Sequence, residues 1–326
     1  MKARVITCES SRRAAAPAVG AALAAVSFVL LWSAAASGEE LSDIPAAFVD
    51  VGIGAGPMGM GGAVVATVEG PNALYWNPAG LALSDGGREF SVSYCDQLGL
   101  VPYSAGAGTH RLGPYSLGLG LLYSGDEVLS ETTLILGAAT EFHVLPWNAG
   151  RSASFGASAR ARWASYGNYD GGGEQVTGNA MGFGLDVGAV LPLTATTTLG
   201  VSARDVLNTL GWESSAAGAY DENVPTSLVA GIAMRPHERL LLEVDLDRAL
   251  HLDVDDVVRA GAEIGLFGMA SLRGGYRTTL TENGSDEYSI GGGATFPAGA
   301  ASMTLDAAYL FGELDNTLRF SLGVAL

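Results

Sequence analysis

The sequence predicts an all-β protein, a transmembrane antiparallel β-barrel of about 14 strands with an N-terminal plug segment in its lumen. Three observations carry that prediction. From Glu89 onward apolar residues recur at every second position, the period of a strand with two different faces. Mean hydropathy is positive, +0.27, yet no apolar run of about 20 residues follows residue 36, so strands rather than helices must carry the apolar surface. And a glycine-dense stretch from Gly54 to Ala82, GAGPMGMGGAVVATVEGPNALYWNPAGLA, stands immediately before the first strand.

Residues 1–36 read as a secretory signal peptide. Lys2, Arg4, Arg12 and Arg13 precede an apolar stretch from Ala14 to Trp32, and Ala34-Ala35-Ala36 supplies a small-residue cleavage site at Ala36 or within the next two residues. The alanine content and the small residues at its end favour cleavage over an uncleaved anchor. Cys8 lies ahead of the apolar region and leaves with it.

Residues 37–87 form the expected hatch. Gly54, Gly56, Gly59, Gly61 and Gly62 permit close backbone approach and positive φ, so the chain can fold tightly in a confined space. Asn77-Pro78-Ala79 then fixes a turn, because the residue before proline is driven out of the helical region. These eight residues are the expected hatch and gating positions.

Residues 88–326 form the expected barrel, with strands near 88–95, 103–110, 115–124, 132–145, 152–166, 179–192, 196–207, 226–235, 239–249, 257–267, 269–279, 287–297, 301–312 and 316–326. The last is the clearest: Leu318, Phe320, Leu322, Val324 and Leu326 alternate with Thr317, Arg319, Ser321, Gly323 and Ala325. Tight connectors (Arg111–Pro114, Pro146–Arg151, Leu193–Ala195, Pro236–Glu238, Pro297–Ala300) alternate with longer ones (Gly167–Gly178, Asn208–Pro225, Ala249–Asp256, Leu280–Asp286). Short turns on one side and long loops on the other match an outer-membrane barrel with its short turns, and both ends of the mature chain, on the periplasmic side. Tyr94, Tyr123, Trp147, Trp163, Tyr276, Tyr309 and Phe311 fall near strand ends, where aromatic girdles form.

Alternation places Arg160, Arg162, Asp186, Arg204, Glu243, Asp245, Arg259, Glu263, Arg273, Arg277, Asp306 and Arg319 on the lumen face. Two meanings are open for this set. The residues pair with one another to satisfy a crowded interior, or they filter ligands by polarity.

Charge and composition exclude several functions. The chain carries a net charge of −17, and without the signal peptide about −20, which excludes nucleic acid as a partner. Acidic runs at Asp126, Glu127 and Glu131, at Asp221 and Glu222, at Asp253, Asp255 and Asp256, and at Glu282, Asp286 and Glu287 read as solvated loops. Asp253-x-Asp255-Asp256 lacks the glycine and bidentate glutamate of a calcium loop, so no metal is expected. Cys95, the sole mature cysteine, excludes an intrachain disulfide and a thiolate-rich metal site. Gly54-Ala55-Gly56-Pro57-Met58-Gly59 matches a dinucleotide fingerprint formally, but Gly61, Gly62 and Pro71 interrupt the helix it needs, and no cofactor is expected. His110, His143, His237 and His251 are scattered without a nucleophile beside them, so no catalytic residue is assigned.

Met58-Gly59-Met60-Gly61-Gly62-Ala63, followed by Ala73-Leu74-Tyr75-Trp76-Asn77-Pro78-Ala79-Gly80-Leu81, resembles the PorV/PorQ family of outer-membrane proteins, relatives of the FadL long-chain fatty-acid transporters. Val206–Gly211 and Val224-Pro225-Thr226 resemble, more weakly, that family's asparagine-glycine strand end and following proline. The resemblance implies a fourteen-stranded barrel with the N-terminal segment tucked inside, set in outer-membrane lipid. It also implies passive transport or binding of a small hydrophobic ligand or, alternatively, a non-transporting scaffold that binds secreted proteins or the secretion apparatus through its surface loops. The chain departs from the pattern in ending on Leu326 rather than an aromatic, and its loops are short beside those of fatty-acid transporters.

Overall fold

A computed structural model describes Phe48 and residues 51–84, 87–97, 99, 101–126, 128–142, 152–167, 176–222, 224–250, 254–281, 284–313 and 316–326. The expected signal peptide and the turn expected over Pro146–Arg151 lie outside these residues.

The strands are β1 (Arg88–Gln97), β2 (Val101–Leu112), β3 (Tyr115–Gly125), β4 (Leu129–Phe142), β5 (Ala153–Gly167), β6 (Thr177–Pro192), β7 (Thr197–Ser214), β8 (Gly218–Asp221), β9 (Ser227–His237), β10 (Leu240–Ala249), β11 (Val257–Leu266), β12 (Ala270–Thr279), β13 (Asp286–Ala298), β14 (Ala301–Phe311) and β15 (Asn316–Ala325). Each pairs antiparallel with its neighbours in sequence around a ring, from which β8 alone is left out. β1 closes the ring against β15 in a register running from Glu89 opposite Ala325 to Cys95 opposite Arg319. A closed ring leaves no strand edge unpaired, the condition for a sheet to stand in hydrocarbon.

The period-two pattern sorts side chains as expected for a transmembrane barrel. Phe90, Val92 and Tyr94 on β1, Leu117, Leu119, Leu121 and Tyr123 on β3, and Leu242, Val244 and Leu246 on β10 are exposed on the outside. Their neighbours Glu243, Asp245, Thr317 and Arg319 are buried on the inside. Phe311, Tyr288 and Trp163 are exposed near the long-loop ends of their strands.

Two expectations need correction. The connector expected over Asn208–Pro225 is largely strand: β7 continues to Ser214 and folds back as β8, with Gly211 opposite Asp221 and Ser214 opposite Gly218. Its polar residues, read as a loop, alternate in an ordinary hairpin. Glu131, Asp221, Asp286 and Glu287, read as loop acids, belong to β4, β8 and β13. Each lies close enough to a turn that its charge masked the alternation; Glu131 is buried.

Inside the ring, residues 51–84 carry two short helices, α1 (Ala55–Gly59) and α2 (Ala73–Trp76), and 3-10 turns at Gly70–Asn72 and Pro78–Ala82. α1 lies against β12 to β15 and the Pro78–Ala82 turn against β3 to β6, on the other side of the ring. The core therefore sits between this segment and the wall, where Met58, Met60, Val64, Leu74, Trp76 and Leu81 pack with Ile135, Leu241 and Leu310. Each such buried side chain stabilises the seated segment by about 1.5–3 kcal/mol. The mature N-terminus, expected on the short-turn side, lies outside the described residues, of which Phe48 is the first. Phe48 donates its N–H to Glu131 Oε1 at 2.9 Å, near the long-loop end of β4, whereas Leu326 donates to Arg88 O at 2.9 Å at the short-turn end.

Candidate functional site: the lumen

Wall glycines at inward positions seat the N-terminal segment by bringing backbone against backbone. A Cβ on Gly275 would lie 2.0 Å from Gly61 N, one on Gly261 2.5 Å from Met60 O, and one on Gly156 2.3 Å from Pro78 C. Gly61 adds the converse constraint: φ is +67°, and a Cβ there would meet Tyr276 N at 2.8 Å. Gly59 fits for space alone, with Gly291 Cα 3.2 Å from where its Cβ would be, and Gly56 lies beside Arg273 and Asp306. Gly54 and Gly62 take φ of +80° and +75°.

Polar groups fix the segment at several places. Arg319 donates to Val51 O at 2.7 Å, Gly52 O at 2.9 Å and Gln97 Oε1 at 3.0 Å. Ser321 Oγ accepts from Ala55 N at 2.6 Å, and Ser289 Oγ donates to Gly59 O at 3.1 Å. Asp245 Oδ2 accepts from Val64 N at 2.8 Å and Val65 N at 3.0 Å, while Glu243 accepts from Ala66 N at 2.6 Å and from the Thr67 hydroxyl. Asn77, fully buried in extended backbone ahead of Pro78, accepts from Ala79 N at 3.1 Å and donates to Val65 O at 2.7 Å and Ala189 O at 3.3 Å. One amide thus caps a turn and joins two passes of the segment to β6. Ala79 behind it has no exposed surface, and Pro78 is also buried.

The remaining lumen charges form a ladder of ion pairs. Arg160 Nε contacts Asp186 Oδ2 at 2.6 Å and its guanidinium lies 5.4 Å from the Tyr75 ring centre. Arg162 meets Asp205 through two contacts of 2.8 Å, a bidentate arrangement suited to guanidinium. Asp247 serves Arg204 at 2.8 Å and Arg259 at 3.0 Å. Arg273 lies between Glu263 at 2.6 Å and Asp306 at 2.5 Å. Arg277 stands in register between Arg259 on β11 and Glu287 on β13.

Asp205 escaped the sequence reading, and the lumen set stopped at Asp245 although alternation carries on to Asp247. β7 holds two extra residues between Ala203 and Leu207, opposite Val187 and Leu185, and Asp205 there takes φ 51°. Arg204, Asp205 and Val206 are consequently all buried; strict alternation would put the middle one outside. Adjacent charges at Arg204-Asp205 within an alternating run were the available signal. Asp247 simply extends the Glu243, Asp245 face.

Above the segment, on the long-loop side, a cavity of about 340 Å³ opens. Its floor is Val51–Ala55 and Tyr75; apolar walls come from Phe48, Leu122 and Val224, and Arg160, Arg204, Arg277 and Arg319 project from the strands around it. A pocket with apolar surface and a few placed polar groups is suited to a small organic molecule.

No family model and no curated protein matches the chain. Solved structures do. The monoaromatic hydrocarbon channel CymD is 18% identical, with 84% of this chain and 96% of that chain covered and a TM-score of 0.57. The chain has the fold of these channel barrels. The Ralstonia pickettii toluene transporter TbuX shares 17% identity over 84% of this chain and 97% of its own, TM-score 0.56. A Pseudomonas aeruginosa FadL homologue shares 12% over 83% and 97%, TM-score 0.57.

Proposed function

We propose that this chain is an outer-membrane, FadL-like barrel that binds and passes a small hydrophobic molecule, with residues 37–87 as hatch and residues 88–326 as barrel behind a signal peptide of residues 1–36. The observation that carries the reading is the cavity between the long-loop mouth and the seated segment, in a fold shared with hydrocarbon channels. The PorV/PorQ motifs supply the segment's turns, at Met58–Ala63 and Ala73–Leu81, and are consistent with that placement. Passage requires the segment to move, because it occupies the lumen below the cavity. Gly54, Gly56, Gly59, Gly61 and Gly62 give it backbone freedom, and Asn77, Pro78 and Ala79 hold its exit into β1. The ion pairs of the lumen support mutual satisfaction as the main role of its charges, since the arginines that border the cavity already engage carboxylates or carbonyl oxygens over most of the ladder.

The test is entry of the hydrophobic fluorophore N-phenyl-1-naphthylamine into cells or vesicles carrying the barrel. Expected is faster entry than in barrel-free membranes, cut at least tenfold by Ala105→Trp, which fills the cavity from β2. No gain over barrel-free membranes, or an unchanged rate in an Ala105→Trp protein that still migrates as a folded barrel in unheated gels, refutes the reading.

A further inference from the structure

On the long-loop side β7 runs past its pairing with β9, which stops at Arg204, as far as Ser214 and turns back as β8. The outward face of the sheet there is concave, with a volume of about 860 Å³, and the registers order its side chains into two rows. Nearer the tip, Ser130 on β4, Ser165 on β5, Asn179 on β6 and Glu213 on β7 stand opposite one another in turn. Two residues further down each strand, Thr132, Trp163, Met181, Gly211 and Asp221 do the same from β4 to β8.

The rows differ in chemistry. The tip row offers two hydroxyls, 3.0 Å apart at Ser130 and Ser165, then an amide and a carboxylate. The side chains of Asn179, Glu213 and Asp221 make no hydrogen bond or ion pair with another described residue, so their acceptors are open to a ligand's hydroxyl or ammonium hydrogens. The lower row offers the exposed indole of Trp163 and the exposed Met181, an apolar surface with one N–H donor. Behind them the inward side chains brace the sheet: Trp212 stacks on Tyr220 at 6.2 Å and donates to Glu222 Oε2 at 2.6 Å, and Tyr166 donates to Ser214 Oγ at 2.7 Å. The face is therefore preorganised. From β4 to β8 it extends roughly 19 Å, and Trp163 and Glu213 stand roughly 11 Å apart along it. Side chains that stand off a sheet at that separation do not converge on one small cation, whereas an extended ligand reaches both. The polar tip row suits no acyl chain, and the two carboxylates repel phosphate.

We propose that this face binds a short glycan, the amine-bearing sugar head group of a lipid in the surrounding leaflet. Outward positions on a barrel wall point sideways over the lipid rather than up into the medium, which places the occupant among head groups. The C–H faces of the sugar rings lie on Trp163 and Met181, while hydroxyl and ammonium groups reach Ser165, Asn179, Glu213 and Asp221. The platform is outside the wall and shares nothing with the lumen cavity, so it stands whether or not a hydrophobic molecule passes the barrel.

The test uses a synthetic diacyl lipid headed by a glucosamine trisaccharide, with its fully N-acetylated form as the neutral counterpart. Each is mixed in detergent with the folded full barrel, and the lipid retained after gel filtration is counted by mass spectrometry. Expected is saturable retention of one aminated lipid per barrel, several-fold above the N-acetylated form, and displacement by the free glucosamine trisaccharide. Retention falls at least fivefold in Trp163→Ala and in Glu213→Gln, both still migrating as folded barrels, and is unchanged in Glu313→Gln, an exposed acid of the β14–β15 loop. Retention of the aminated lipid no greater than that of the N-acetylated one overturns the proposal, and that result needs no variant. Equal loss in Glu313→Gln and Glu213→Gln overturns it as well, because attraction to the acidic rim at large would then account for binding.

Discussion

Replacing Asn77 by alanine removes the side chain that joins the segment to itself and to the wall. Three groups lose a partner together: Val65 O, Ala189 O and Ala79 N. All surround a residue with no exposed surface, so solvent does not replace the amide in the seated state. Taking about 1 kcal/mol for each lost bond, the seated segment is weakened by about 3 kcal/mol, over a hundredfold in its opening equilibrium. Hydrogen exchange at the Val68, Gly80 and Leu83 amides, which bond within the segment, reports that opening in the detergent-folded protein, and gel migration without heating reports the barrel. Asn77→Asp discriminates further. It keeps an acceptor for Ala79 N but loses both donors and sets a charge against two carbonyls, so it opens the segment at least as much as alanine. An Asn77→Ala barrel whose segment exchange changes less than about fivefold would refute the account of Asn77 as the principal tie.

Two further substitutions probe the wall. Gly275→Ala directs a methyl at Gly61 N, 2.0 Å away, whereas Gly292→Ala on the next strand meets nothing closer than Ser271 O at 3.5 Å. The first is expected to expose the segment to protease at a cost of about 1–3 kcal/mol and the second to leave cleavage unchanged; equal cleavage of the two would be incompatible with close seating. Asp205→Ala leaves buried Arg162 without its bidentate partner and should destabilise the barrel by about 3–5 kcal/mol, read as a lower urea midpoint. Glu141→Gln, in the half-exposed Arg111–Glu141 pair at 3.5 Å, should cost less than about 1 kcal/mol.

The ring was legible because lipid and lumen impose opposite demands on alternate residues. β1, β3, β10 and β15 obey that demand, so which of their side chains face inward follows from the residues alone. β7 does not: its two extra residues turn Asp205 inward through a left-handed backbone conformation that aspartate tolerates better than most side chains. A bulge leaves only adjacent charges as its trace in the sequence. Arg160, Arg162 and Asp186 could be placed on the lumen face from parity, but which carboxylate each arginine meets depends on strands far apart in the chain, and Asp205 was needed to complete Arg162. The glycines and Asn77 were readable as a turn-rich segment. Their partners were not, since Gly156, Gly261 and Gly275 are ordinary strand glycines until something is laid against them.

The seam between β1 and β15 places a constraint on biogenesis. β1 begins four residues beyond Ser84, the end of the described inner segment, while β15 is synthesised last and completes the circle. A chain threaded into a finished cylinder would have to drag Trp76 and Leu74 past walls already in contact with themselves. The simpler order is that the sheet curls around the segment as around a mandrel, with the glycine-lined strands docking on it before the first and last strands meet. Insertion and interior would then mature in one event, and a variant that cannot seat residues 51–84 should accumulate with its seam open.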